Sequence, residues 1–213
     1  MERNARAQKY TEEYAQGVII RDHSLETYTQ FLHRAGETQR MEQLVQRVLR
    51  RKETCCVLDI GCGNANALRT LNELFGKRVH TVGVDLVPPA EKKGVDVFLE
   101  GDAHNLEWGE AFDLIFSFRV LHQMGELVHI LTKIGKSLSP GGRAYVWIRM
   151  REPSGNGTFR FVGEMNEEEE RGLLRFSLDE NGIKVMVHAA KLQHNELPSS
   201  LAEGYTVLFY RPL

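Results

Sequence analysis

Cysteine is scarce: three residues, Cys55, Cys56 and Cys62, all near one predicted strand and turn. An odd, clustered set cannot frame a fold, and adjacent residues of a strand point to opposite faces. A disulfide scaffold is therefore excluded, and a reducing cytoplasm is the expected location. No second Cys/His cluster has ligand spacing, so no metal site is expected. Charge of one sign is lacking too. Lys and Arg number 27 against 29 Asp and Glu, a formal net charge of -2. That leaves no overall electrostatic case for nucleic acid or an anionic membrane surface. No apolar run reaches about 18 residues, so no transmembrane helix is expected. The opening Met1-Glu2-Arg3-Asn4-Ala5-Arg6 has no apolar stretch behind it, so a signal peptide is not expected either. There are no internal repeats and no low-complexity segments. What remains is an ordinary globular balance, 42% hydrophobic and 26% charged, with length enough for one sizeable core and an appended element.

The most informative stretch starts at Cys56-Val57-Leu58-Asp59-Ile60, a short apolar run with an acid near its end, as in a strand buried on both faces. Gly61 and Gly63 follow, then Leu68, Leu71, Leu74 and Phe75 at helical spacing, with Gly76 placed to end the helix. Strand, glycine turn, helix is the resulting order. Glycine lets the chain turn sharply and approach a ligand closely, and the helix N-terminus offers unpaired N–H groups. No Lys-Ser/Thr ending is present, so this is not a P-loop. Asn66 stands where the dinucleotide fingerprint has its third glycine. Asp59 repels phosphate and suits a ligand with an ammonium group. The bland alternative is a strand–helix turn in which glycine supplies geometry alone.

Upstream, a helix is expected over 5–16. Ser24 is placed to cap a helix bearing Leu25, Tyr28, Phe31 and Leu32, ended by Gly36, and Thr38 to cap another bearing Met41, Leu44, Val45, Val48 and Leu49. Arg40, Arg47, Arg50, Arg51 and Lys52 occupy the other face and end of that helix. They read as a solvated face complementing the helix dipole, with an RNA-contact stripe as the alternative. Downstream, 79–84 is a second strand ending in Asp85, at the position where an acid can accept hydrogen bonds from ribose hydroxyls; a turn-initiating Asp before Pro88-Pro89 is the alternative. Strands are expected at 95–99, 112–117 and 144–150. Leu127, Ile130, Leu131, Ile134 and Leu138 mark a helix, and Ser139-Pro140-Gly141-Gly142 a turn. Strand–helix alternation predicts a doubly wound α/β sheet. Asp59, Asp85, Asp102 and Ser117 then all fall at or past strand ends, the edge where such sheets bind ligands. Residues 151–165 read as a mobile loop and the acids at 167–170 as a solvated first helical turn. The segments 183–187 and 205–210 read as an antiparallel hairpin at the sheet edge.

From about Val57 to Ile148 these residues resemble the class I S-adenosylmethionine-dependent methyltransferases. Val57-Leu58-Asp59-Ile60-Gly61-Cys62-Gly63-Asn64-Ala65 resembles motif I, with Ala65 where the family usually has a further glycine. Gly83-Val84-Asp85-Leu86 resembles the end of its second strand, and Gly101-Asp102-Ala103 its adenine-recognising segment. Residues 112–117, continuing to Leu121-His122, resemble its fourth strand and following loop. Leu138-Ser139-Pro140-Gly141-Gly142 resembles the turn before its fifth strand. The nearest subgroup is the small-molecule enzymes similar to those of quinone biosynthesis.

The resemblance implies a mostly parallel, seven-stranded Rossmann-like sheet with an antiparallel last strand. Residues 53–213 would form the cofactor-binding domain and residues 1–52 a helical cap or lid, in one globular unit. It implies S-adenosylmethionine as cofactor, with Gly61 and Gly63 against its methionine part and Asp59 near its ammonium. Asp85 would take the ribose, Leu86 the adenine face, and Asp102 and Ala103 the adenine edge. The backbone of Ser117 and Phe118 would face the methionine moiety. In-line methyl transfer needs a base only where the acceptor loses a proton. His122 is the candidate, its alternative being structural packing. Tyr10, Tyr14 and Arg119 are candidate acceptor contacts, against helix packing and a surface ion pair; His129 reads as structural or exposed. Ser117-Phe118-Arg119-Val120 lacks an Asn-Pro-Pro-Tyr-type motif, which argues against base or glutamine amino groups as acceptors. A small-molecule acceptor is therefore expected. An RNA or protein methyltransferase and a non-catalytic cofactor-binding or interaction protein are the alternatives, a nicotinamide dehydrogenase a distant further one. Oligomeric state is open.

Overall fold

The computed structural model describes residues 8, 12, 23–34, 37–89, 91, 93–109, 111–121 and 127–148, together with the backbone of 151–153, 159–161, 193–194 and 205–210. Two helices come first, α1 (Leu25–Arg34) and α2 (Met41–Leu49). Strand β1 (Cys55–Ile60) leads into α3 (Asn66–Phe75) and a 3-10 turn (Gly76–Arg78). Then come β2 (Val79–Asp85), β3 (Val97–Glu100), β4 (Phe112–Ser117), α4 (Leu127–Ser137) and β5 (Leu138–Ile148).

These five strands form a parallel sheet in the order β3-β2-β1-β4-β5. The direction of winding reverses between β1 and β4, so the switch point lies at the carboxyl ends of those two strands. Beyond β5, backbone at Tyr205–Tyr210 (β9) runs antiparallel to it, and Gln193–His194 (β8) pairs with β9. Residues 183–187, expected to partner the last strand, lie outside the described residues. Arg151–Pro153 (β6) and Phe159–Phe161 (β7) pair as a small antiparallel ladder, where the sequence reads as a loop.

Period-2 alternation sorts the strands' side chains into two cores. Leu58, Ile60, Ile115, Ala144 and Val146 face α4, whose Ile130, Leu131 and Ile134 are fully buried. Cys55, Val57, Leu114, Phe116, Tyr145 and Trp147 face the other way, onto α1, α2 and α3. The N-terminal helices therefore cover one face of the sheet, with Leu32, Met41, Leu44 and Val45 fully buried.

Local chemistry sets the boundaries. Ser24 Oγ accepts the Thr27 N–H (3.2 Å), capping α1 as its position predicts. For α2 the cap is Arg40, not Thr38, and Gln43 Oε1 accepts the Arg40 N–H (2.8 Å). In α3, Leu74 is 57% exposed, so the apolar stripe includes one residue that the core does not take. The third strand starts at Val97 rather than 95, because the Asp96 carboxylate turns back to accept the Thr81 N–H (2.8 Å) and Oγ1–H (3.1 Å). The Ser139-Pro140-Gly141-Gly142 turn is an outward bulge within β5. Phe112 pairs with Leu138 but Leu114 with Arg143, and Gly141 takes a φ of 77°.

Candidate functional site

Alternation along β1 places Asp59 on the face that α1 covers, and its carboxylate is fully buried. The Tyr28 hydroxyl of α1 donates to Asp59 Oδ2 (2.5 Å). Asp59 Oδ1 has no hydrogen-bond partner among the described residues. Burial pushes the Asp59 carboxyl up to about 7; the Tyr28 hydroxyl pulls it down and the Asp85 carboxylate pushes it up. Tyr28 is raised well above the usual phenol range by burial first and by Asp59 next, so it stays a neutral donor.

The glycine turn follows at once. Gly61 N–H and Cys62 N–H both donate to Val84 O (2.7 and 3.1 Å), clasping the turn to β2. Gly61 takes a φ of +77°, and a Cβ there would lie 2.7 Å from Val120. Part of its glycine requirement is thus internal, since the chain after β4 occupies that space. Gly63 N–H donates to Asp85 Oδ2 (2.8 Å), and Val87 N–H to Asp85 Oδ1 (3.1 Å). Asp85, buried at the end of β2, therefore braces the turn whatever else it holds. Ala65 sits in the left-handed region (φ 57°) as the N-cap of α3, the place where a glycine would be unstrained.

On the other side of β1, the Ser117 hydroxyl donates to Ile60 O (3.1 Å), tying the ends of β4 and β1 together across the switch point. Phe118 is buried, stacked on Phe31 (5.2 Å) and edge-on to Tyr28 (5.0 Å). Arg119 is exposed and has a φ of 61°. Across β2 and β3, Leu86 is half-buried and Ala103 buried. Asp102 Oδ1 accepts the His104 N–H (3.0 Å) and faces its Nδ1 (2.8 Å), and the His104 ring stacks near His129. Lys133 Nζ donates to Ala103 O (3.2 Å).

Asp59, Gly61, Gly63, Asp85, Ser117 and Phe118 are thus brought together by direct contacts or strand pairing, with Leu86 beside Asp85 in the chain; Asp102 and Ala103 follow the end of the neighbouring β3. His122, Tyr10 and Tyr14 lie outside the described residues. Tyr28 is the site residue that sequence reasoning does not reach. It reads as one more apolar position on α1, yet a buried strand acid demands a donor, and a tyrosine on the facing helix is the signal that could have found it.

The donor set fits a cationic head group. A buried carboxylate with one oxygen unused, beside a backbone turn that admits no side chain at Gly61, suits an ammonium better than a phosphate. Among the described residues no cluster of His, Cys, Asp and Glu could hold a metal ion. No described helix is long and apolar enough to cross a membrane.

Comparison with known proteins agrees with this fold. A family model described as a methyltransferase domain matches residues 51–154, just under half of the chain. No curated protein matches the sequence. Among solved structures, the fold is similar to 1,6-didemethyltoxoflavin-N1-methyltransferase of Burkholderia thailandensis, with 18% identity, a TM-score of 0.62, and 98% of this chain and 89% of that one covered. It is also similar to an S-adenosylmethionine-dependent methyltransferase of Mesorhizobium loti, at 15% identity and a TM-score of 0.56, covering 79% and 98%. The [4+2]-cyclase SpnF is similar as well, at 16% identity and a TM-score of 0.53, covering 81% of each chain. Residues 51–154 accordingly match the model of a methyltransferase domain, and the chain has the Rossmann-like α/β fold of these structures.

Proposed function

We propose that this protein methylates a small-molecule acceptor by in-line transfer. The observation that carries the reading is the buried Asp59 with its unused oxygen, set between the glycine turn and Asp85 at the switch point. S-adenosylmethionine supplies an activated methyl group on a sulfonium, so the protein's work is alignment and exclusion of water. Asp59 would balance the cofactor's ammonium. The backbone of Gly61, Gly63, Ser117 and Phe118 would border its methionine part. Asp85 would hold the ribose, Leu86 the adenine face, and Asp102 with Ala103 the adenine edge. His122 is the residue we assign to proton removal, and Tyr10, Tyr14 and Arg119 to the acceptor.

The small-molecule reading is supported by the name of the Burkholderia thailandensis protein, a toxoflavin-precursor methyltransferase with its small acceptor bound. The quinone-biosynthesis-like subgroup is the finer assignment we infer from the sequence motifs. An RNA acceptor is disfavoured because three of the five cations of the stripe from Arg40 to Lys52 are engaged within the chain. Arg40 pairs with Glu26 and Glu42, Lys52 pairs with Asp113, and Arg47 donates to Gln39 and Tyr145. Three free cysteines fit a cytoplasmic location. We read the sheet as seven-stranded with an antiparallel last strand, 53–213 as the catalytic domain and 1–52 as its cap.

Isothermal titration with S-adenosylmethionine, S-adenosylhomocysteine and NADH tests the reading. Binding of the first two without the third is expected. Asp85→Ala should weaken that binding by about 1–3 kcal/mol through lost charge-assisted hydrogen bonds. Unchanged affinity in the variant would remove Asp85 from the site, and silence toward both sulfur compounds would favour an interaction protein of the same fold.

A further inference from the structure

The amino-terminal edge of the sheet, opposite the Asp59–Asp85–Ser117 edge, carries a cleft of about 250 Å³. The end of α2, the start of β4 and the β5 bulge enclose it. Arg47, Arg51, Lys52 and Arg143 line it, with Asp113 as its one acid. In a chain of net charge -2 this is a local excess of three positive charges.

Structural duties account for only part of that excess. The Asp113 carboxylate takes Lys52, the Cys56 N–H (3.0 Å) and the Ser139 hydroxyl (2.9 Å). Arg47 is held by Gln39 and the Tyr145 hydroxyl, and it lies in the last turn of α2, where a cation complements the helix dipole. Arg51, beyond the helix end, and Arg143, on β5, are different. Neither has an acidic partner among the described residues, and they come from separate walls of one cavity. Two guanidinium-bearing residues that line one concave space supply the forked donors that suit phosphate and carboxylate oxygens. The volume lies just below the range that holds drug-sized ligands, so the occupant is small.

We propose that this cleft binds a small polyanion bearing phosphate or carboxylate oxygens, held between Arg51 and Arg143, at a site separate from the methyl-transfer centre.

The test is calorimetry of the full-length protein with inorganic pyrophosphate and, separately, citrate, at low ionic strength. Saturable binding of at least one is expected; which one binds identifies the oxygen chemistry. Arg51→Gln with Arg143→Gln should weaken it at least tenfold, while affinity for S-adenosylhomocysteine stays within twofold, the latter also reporting that the variant is folded. A thermal shift of the unmutated protein by the same anion gives a readout independent of the variant. Absence of saturation by both anions, or equal affinity in the double variant, would overturn the proposal. So would binding of a single-stranded RNA oligonucleotide with no small-anion binding, which would make the cleft part of a nucleic-acid surface.

Discussion

At the residue scale, Asp59 is a fully buried carboxylate with a single donor among the described residues. A carboxyl held near 7 when folded and near 4 when unfolded binds more protons in the native state. Stability from this group is therefore present in full below about pH 4, falls as pH rises, and is lost above about 7. Tyr28→Phe removes the one donor and should steepen that fall. We expect a loss of about 1–3 kcal/mol at pH 8 and a smaller one at pH 5.5, read from urea midpoints. An equal loss at both values would mean that Tyr28 acts through packing alone. Ala65 is strained as well, a Cβ carried at a φ of 57°. Left-handed backbone costs an alanine about 1–2 kcal/mol, part of which glycine's extra freedom when unfolded offsets. Ala65→Gly should raise stability by about 0.5–1 kcal/mol; an unchanged or lowered thermal midpoint would show that the turn's geometry is set elsewhere.

At the element scale, Asp113 joins three segments. One carboxylate at the start of β4 gathers the end of α2 through Lys52, the start of β1 through the Cys56 N–H, and the β5 bulge through Ser139. Asp113→Ala leaves a buried hydroxyl and a backbone N–H without their acceptor, at about 1–3 kcal/mol each. A stability loss of about 2–4 kcal/mol is expected in denaturant titration, and a loss under 1 kcal/mol would show that water replaces the carboxylate. Elements of this kind also mark what sequence reading can reach. β4, bounded by 112 and 117, is legible because Leu114, Ile115 and Phe116 make a continuous buried apolar run. β3 begins two residues later than its apolar pattern predicts because the Asp96 side chain, not that pattern, decides where pairing begins. The bulge reads as a plain turn because its reason lies across the sheet, in Asp113. Likewise Asp59, Gly61 and Asp85 are legible from their spacing along the chain. Tyr28 is not, since its role exists only once α1 is laid over β1.

At the scale of the whole molecule, the helices before β1 are part of the core. Leu25, Tyr28, Phe31, Leu32, Met41, Leu44, Val45 and Leu49 are all buried, in one cluster with the residues of α3, β1, β4 and β5. Fully burying a large apolar side chain contributes about 1.5–3 kcal/mol, so these eight together contribute on the order of 12–24 kcal/mol, an upper figure because unfolded chains already bury some surface. That equals or exceeds the roughly 5–15 kcal/mol that separates a folded domain from its unfolded chain. A detachable lid would leave the sheet intact when removed; this element would not. We expect a fragment of residues 53–213 to lack a cooperative thermal transition and to bind a hydrophobic dye strongly, and to lose S-adenosylhomocysteine binding as well, because Asp59 would lose Tyr28 with the helix. Cooperative unfolding of that fragment with retained cofactor affinity would show instead that the sheet stands alone and that residues 1–52 serve only to cover it.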